Sequence, residues 1–98
     1  MFPHQNKHHN LIAAQRRKYG YSQRHVARLL GQSSHASLSA YERGAVLPTL
    51  PVALRLEIIL KTPVRILFPR LTADLENEVD EAKKDLPGYG QQVLFEDP

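Results

Sequence analysis

The stretch from residue 22 to residue 44, SQRHVARLLGQSSHASLSAYERG, constrains the fold of this chain more than any other. Ser22 is a suitable N-cap, and Gly31 suits the left-handed conformation in which many helices end. Between these two residues, apolar side chains recur at helical spacing at Val26, Ala27, Leu29 and Leu30. We therefore expect a helix of about two turns here.

A second short helix is expected directly after the polar link of residues 32–33. Ser34 can cap this helix, and Leu38 and part of Tyr41 provide its buried side. Gly44 marks its end. Two short helices that cross at a tight turn are typical of a helix-turn-helix.

The same residues resemble a known family. Gln23 opens a helix, V-A-R-L-L-G closes it and S-L-S-A-Y-E-R-G forms the next one, which is similar to the Cro and phage-repressor-like family of bacterial DNA-binding regulators. Residues 47–48 (LP) and 67–69 (LFP) stand where that family has a proline after its third helix and a hydrophobic pair that closes its fifth. The resemblance covers residues 11–68. One departure is the link of residues 32–34, which is one residue longer than the commonest form of the family.

The resemblance implies an all-α fold, a five-helix lambda-repressor-like DNA-binding domain. We expect residues 1–9 to form a flexible N-terminal arm and residues 10–69 the helix-turn-helix domain. Residues 70–98 are expected to add a C-terminal helix and a short tail that serve dimerisation or bind a partner.

The first helix of the domain has clear start and stop signals. Asn10 can cap a helix over residues 11–19, which ends at Gly20. Three side chains of this helix are available for the core: Leu11, Ile12 and Tyr19.

The fourth and fifth helices follow the motif. Thr49 can cap the helix LPVALRLEIIL, which is apolar enough to be the main core helix. Pro63 can open the short fifth helix VRILF, and residues 68–69 end it.

Charge is divided unevenly along the chain. Residues 1–50 contain seven Lys and Arg residues and one acid, Glu42, for a charge of +6. Residues 51–98 contain six Lys and Arg residues and nine acids, for a charge of −3. A basic half that includes the helix-turn-helix favours a polyanion such as double-stranded DNA, although an ordinary solvated surface has the same composition.

The second helix of the motif offers a modest surface for reading DNA. If Leu38 and Tyr41 face the core, the opposite side can enter a major groove, where the first turn lies closest to the base edges. No outward Arg, Asn or Gln is available there, although such a side chain is worth about 1–3 kcal/mol of discrimination. We therefore expect DNA shape and dimer spacing to supply much of the specificity. The candidate base contacts are Ser34, His35, Ala36, Ser39 and Ala40, of which Ser34 can equally be a cap.

The helix-turn-helix offers stronger candidates for contacts with DNA phosphates than for contacts with bases. Gln23 matches the family position that bonds a backbone phosphate, and the N-terminus of its helix presents free N–H groups to an anion. Arg24, Arg28 and Arg43 can flank this position, although each of them can also be a plain solvated charge.

A structural ion pair is implied as well. Arg16 matches the family position whose arginine pairs with the glutamate before R-G, which is Glu42 here. We expect this pair to hold the first helix of the domain against the third. The cations at the end of the first helix also complement its dipole.

Residues 71–86 predict a sixth helix with a narrow apolar stripe of Leu71, Leu75, Val79, Ala82 and Leu86. Acids lie early in this helix and lysines late, as the helix dipole prefers. The stripe can pair with a second subunit or pack on its own domain, and we favour a homodimer because the family binds two half-sites.

The two ends of the chain carry weaker signals. His4, His8 and His9 lie in the N-terminal arm without a carboxylate or cysteine at a supporting spacing, so we expect no metal site and regard an arm that touches DNA as the better interpretation. Residues 93–95 (VLF) are either a docking segment for a protein partner or an end held on the surface, and we favour the second.

The sequence predicts neither an enzyme nor a membrane protein. It has no Gly-rich phosphate loop, no cysteine and no catalytic arrangement of histidine, so we expect no activity and no cofactor. No apolar run approaches the roughly 20 residues of a membrane span, and residues 1–10 contain no hydrophobic signal region, so we expect neither a membrane span nor a signal sequence. We expect a cytoplasmic regulator of transcription, with a repressor favoured. The alternative is an antitoxin-like adaptor whose C-terminal segment binds a protein.

Overall fold

A computed structural model of the protein describes residues 9–88. Within this range the chain is all-helical, as the sequence predicts. The six helices are α1 (Ile12–Lys18), α2 (Gln23–Leu29), α3 (Ala36–Glu42), α4 (Leu50–Leu60), α5 (Val64–Leu67) and α6 (Pro69–Lys83). Helices α2 and α3 pack against each other, and α1 contacts both α3 and α4. The helix-turn-helix therefore packs against α1, which in turn contacts α4.

Side chains before the first two helices satisfy backbone N–H groups that the helices leave unpaired. Asn10 Oδ1 accepts a hydrogen bond from Ile12 N at 3.0 Å, although Leu11 holds the N-cap position. Ser22 caps α2 and accepts from His25 N at 3.0 Å. In return His25 Nδ1 accepts from Ser22 N at 3.2 Å, which completes a capping box.

Helix α3 begins at Ala36, two residues after the serine expected to cap it. His35 holds the N-cap position without a side-chain cap, and Ser34 Oγ accepts from Ala36 N at 3.3 Å. Gly31 has a φ of 79°, so the chain leaves α2 in the left-handed conformation that glycine tolerates best. Because α3 begins only at Ala36, the link from α2 extends through residue 35.

The core gathers one side of each of the first five helices. Its buried residues are Ile12, Val26, Leu30, Leu38, Tyr41, Leu56, Leu60, Leu67 and Phe68. Tyr19, expected in the core, is exposed, and Tyr21 packs against the core instead. Leu29 of the predicted apolar face is exposed as well.

Helix α4 is the main core helix, but only one of its sides is buried. Thr49 caps it, and Ala53, Leu56 and Leu60 are buried. Three further apolar side chains lie on its exposed side: Leu50, Leu54 and Ile58. Its apolar composition therefore overstates how much of it the core covers.

The start of α5 is fixed by polar contacts with neighbouring helices. Glu57 Oε1 accepts from Val64 N at 2.9 Å, and buried Thr62 accepts from Gln15 Nε2 at 2.9 Å. These bonds hold the turn between α4 and α5 against α1.

Helix α6 extends from the domain rather than lying in its core. It begins at Pro69, so this proline ends α5 and opens the next helix at once. No residue of α6 is buried, and Leu71 is its one member of the partly buried layer against the core. The helix ends at Lys83, so Leu86 of the expected stripe lies in the turn that follows.

Candidate nucleic-acid interface

A cleft between α2 and the start of α3 brings together residues from both sets of expected DNA contacts. It has a volume of about 320 Å³. Arg24 and Arg28 line it from α2, and Ser34 and His35 line it from the link that leads into α3. Two exposed guanidinium groups therefore flank the residues expected to lie closest to bases.

The outward side of α3 is as the helix periodicity predicts. Leu38 and Tyr41 are buried, whereas Ala36 is exposed and Ser39 and Ala40 are half-buried. The exposed first turn can approach a groove more closely than the second, which is partly covered. The side chains expected to contact bases offer only a histidine ring, hydroxyl groups and methyl groups.

Gln23 starts α2 and is already held by a side chain of α3. Its Nε2 donates a hydrogen bond to Glu42 Oε1 at 2.8 Å. One of the two amide hydrogens is used in this bond, and the other is available for an acceptor such as a phosphate oxygen. The bond fixes the direction of the amide before any ligand is present.

Arg16 and Glu42 form a buried, two-pronged ion pair. Arg16 Nε lies 2.6 Å from Glu42 Oε2, and Arg16 Nη2 donates to Glu42 Oε1 at 3.2 Å. The third donor, Nη1, bonds the carbonyl of Tyr21 at 3.0 Å. The two side chains are only 10% and 7% exposed, so α1, the α1–α2 turn and α3 are tied together away from water.

Two of the four expected phosphate contacts, Gln23 and Arg43, do not line the cleft between α2 and α3. Arg43 follows the last residue of α3 and is exposed. The cleft therefore brings together only Arg24 and Arg28 of this set.

Two residues of this region have roles that the sequence does not predict. Gln32 lines the cleft, and its buried Oε1 has no hydrogen-bond partner among the described atoms. His25 completes the α2 cap, a role in which Glu or Gln is the usual signal. Nothing in the local sequence marks Gln32, because the burial of its Oε1 is a result of tertiary packing.

A second groove lies between α5 and α6, on another part of the molecule. Its volume is about 760 Å³, and apolar side chains from both helices line it together with charged ones. The apolar members are Val64, Phe68, Leu71, Leu75 and Val79. The groove therefore contains three residues of the expected dimerisation stripe, and Leu75 and Val79 are about half exposed.

Some of the expected features lie outside the described residues. These are His4 and His8 of the N-terminal arm and residues 93–95 of the tail. In the described range no three His, Asp or Glu side chains are close enough to hold a metal ion. No helix between residues 9 and 88 is long and apolar enough to cross a membrane.

Known proteins resemble this chain in the region just described. A helix-turn-helix family model matches residues 12–67, more than half of the chain. A protein of Thermococcus kodakarensis, named as an HTH-type transcriptional regulatory protein, is 41% identical over 88 residues that cover 78% of this chain. The same alignment covers 27% of that relative, so this chain spans little more than a quarter of its length. No solved structure matches the chain.

Proposed function

Because the chain belongs to the Cro and phage-repressor-like helix-turn-helix family, we propose that it is a sequence-specific, double-stranded DNA-binding regulator of transcription that acts as a repressor. The observation that carries this proposal is the cleft in which Arg24 and Arg28 flank Ser34 and His35. In this arrangement the arginines can contact DNA phosphates while the exposed start of the helix enters the major groove. We further propose that the protein works in the cytoplasm.

In this proposal α3 enters the major groove. His35 offers a ring nitrogen to a base edge, and the methyl groups of Ala36 and Ala40 can contact a thymine methyl. Ser34 and Ser39 supply hydroxyl groups. Because these groups discriminate weakly, the deformability of the DNA and the spacing of half-sites supply the rest of the specificity.

The proposed phosphate contacts are Gln23, Arg24, Arg28 and Arg43. Gln23 is supported by its bond to Glu42, which directs the amide without loss of its second hydrogen. The two cleft arginines act through charge, so their contribution falls as salt rises and does not depend on base sequence.

We propose that a homodimer forms through α6. The support is the unburied state of this helix, together with the apolar side chains that line its groove with α5. A second copy of α6 can cover Leu71, Leu75, Val79 and Ala82, and Leu86 can contribute from the turn beyond the helix. Two half-sites would then be read together, which multiplies the specificity of one weak reading helix.

The experiment that tests these roles compares substitutions in the two classes of contact. Arg24→Ala and Arg28→Ala should weaken binding by similar factors on every duplex and lower the magnitude of the log–log salt slope by about 0.9 each. His35→Ala should change the preference among duplexes instead. Arg70→Ala removes an exposed cation from α6 and serves as the matched control, with binding unchanged. If His35→Ala alters neither affinity nor preference, the base-reading assignment is wrong.

A protein-binding adaptor is the second candidate, and the same exposed face of α6 favours it. In that case a foreign protein rather than a second copy would cover the groove between α5 and α6. Apolar docking of this kind should change little with salt, whereas phosphate binding should fall steeply. The salt series therefore separates the two functions.

A further inference from the structure

A small apolar patch lies where the end of α1 meets α2. Tyr19 and Leu29 are 39% and 55% exposed, and both line a shallow pocket of about 410 Å³. The other lining residues are Gly20, Tyr21, His25 and Arg28. We call this surface the Tyr19–Leu29 patch. It is separate from the groove between α5 and α6 that is proposed for dimerisation.

The rim of the Tyr19–Leu29 patch is cationic. Arg28 lines the pocket, and Lys18 Nζ lies 5.7 Å from the centre of the Tyr19 ring. None of its lining residues carries a carboxylate. The one acid of residues 1–50, Glu42, is 7% exposed at its side chain and is bonded to Arg16, so it does not offset these charges. An apolar floor with such a rim is complementary to an apolar peptide that carries carboxylates.

One segment of this chain has that chemistry. Residues 93–97 read VLFED, in which three consecutive apolar residues stand directly before two acids, and no other segment of the chain has this order. We propose that the Tyr19–Leu29 patch is the docking site for residues 93–97. The apolar side chains cover Tyr19 and Leu29, and the two carboxylates face Lys18 and Arg28.

Apolar contact provides most of the binding in this arrangement, because exposed ion pairs contribute little and buried apolar area contributes more. Charge selects which apolar segment is accepted, since an uncharged or basic segment gains nothing from the rim.

Docking of residues 93–97 also affects DNA binding, and this consequence rests on the proposed function. Arg28 belongs both to the rim of the patch and to the proposed phosphate contacts. A carboxylate held beside Arg28 would compete with a phosphate for the same guanidinium group. The C-terminal segment would then weaken DNA binding when it is docked and restore it when it is released.

A peptide-binding measurement tests the docking without DNA. The acceptor is the full chain with Leu94→Ser and Phe95→Ser, which inactivates its own segment. The probe is a fluorescein-labelled peptide of residues 90–98, and the readout is fluorescence anisotropy at low salt. We expect saturable binding that Leu29→Ser in the acceptor weakens by about tenfold or more and Arg28→Gln weakens by about two- to fivefold.

Leu54→Ser is the matched control, because Leu54 is exposed to a similar extent on α4, and it should leave the affinity unchanged. Weaker binding to the wild-type chain than to the acceptor supports docking within one chain, and equal binding supports docking between copies. The proposal is overturned if binding does not saturate or if Leu54→Ser weakens it as much as Leu29→Ser does. It is also overturned if Leu75→Ser abolishes binding while Leu29→Ser does not, since the segment would then occupy the groove between α5 and α6.

Discussion

Arg16 Nε lies 2.6 Å from Glu42 Oε2, and both side chains are almost completely removed from water. Removal of one partner from such a pair leaves a buried charge without compensation, which typically costs about 3–5 kcal/mol. We predict a loss of this size in the free energy of unfolding for Glu42→Gln. Urea denaturation followed by circular dichroism measures it.

A surface pair of nearly the same length is the matched control. Arg65 Nη2 lies 2.7 Å from Glu76 Oε2, but these side chains are 65% and 58% exposed. Exposed pairs contribute about 0–1 kcal/mol, so Glu76→Gln should have little effect on unfolding. Equal losses for the two glutamates would mean that burial of the Arg16–Glu42 pair does not determine its energetic role.

Helix α4 gives a second prediction, because neighbouring leucines lie on opposite sides of it. Leu56 is fully buried, whereas Leu54 is about half exposed. Leu56→Ala should lower the free energy of unfolding by about 2–5 kcal/mol, because it creates a cavity in the core. Leu54→Ala should cost well under half of that amount. Thermal or urea unfolding of the two variants checks the orientation of α4, and similar losses would contradict it.

Lys61 offers a stabilising substitution. It ends α4 in the left-handed conformation, with a φ of 52° and a ψ of 39°. A side chain is strained there by roughly 1 kcal/mol, and glycine is not, although glycine also gains entropy in the unfolded chain. We predict that Lys61→Gly raises the free energy of unfolding by up to about 1 kcal/mol. Lys61→Ala, which keeps the strain, should not raise it, and a gain as large as that of glycine would rule out the backbone explanation.

The proposed dimer gives a fourth prediction. Leu75→Asp puts a charge into the groove between α5 and α6, so sedimentation equilibrium should show a monomer while circular dichroism shows an unchanged helix content. Ile58→Asp is the control, because Ile58 is an exposed apolar residue of α4 outside this groove. If Ile58→Asp breaks the dimer and Leu75→Asp does not, the exposed side of α4 is the interface instead.

Local signals in the sequence were sufficient to predict the helices. Ser22 and Thr49 act as caps, and Gly31 has the expected left-handed conformation, because each of these roles depends on a few neighbouring residues. The N-cap of α3 lies at His35, one residue after the predicted cap Ser34. Ser34 does accept a backbone hydrogen bond from Ala36 N, the first residue of α3, but His35 and not Ser34 holds the N-cap position.

Side-chain positions that depend on packing were harder to predict. Helix α4 is so apolar that its composition does not show which side is buried, and Leu50 and Ile58 proved to be exposed. The bond between Gln23 and Glu42 joins residues 19 positions apart, so no periodic pattern reveals it. The burial of Gln32 Oε1 likewise leaves no mark in the local sequence.

The measurement that tests the proposed function most directly is selection of bound duplexes from a random DNA pool. At about 150 mM salt, binding that depends on phosphates alone is suppressed, so enrichment requires contact with or deformation of a particular sequence. We predict an enriched inverted repeat with half-sites about 10 base pairs apart, as a two-fold dimer requires. A pool without any enriched sequence, bound by a monomeric chain, would contradict the proposal that this protein reads DNA.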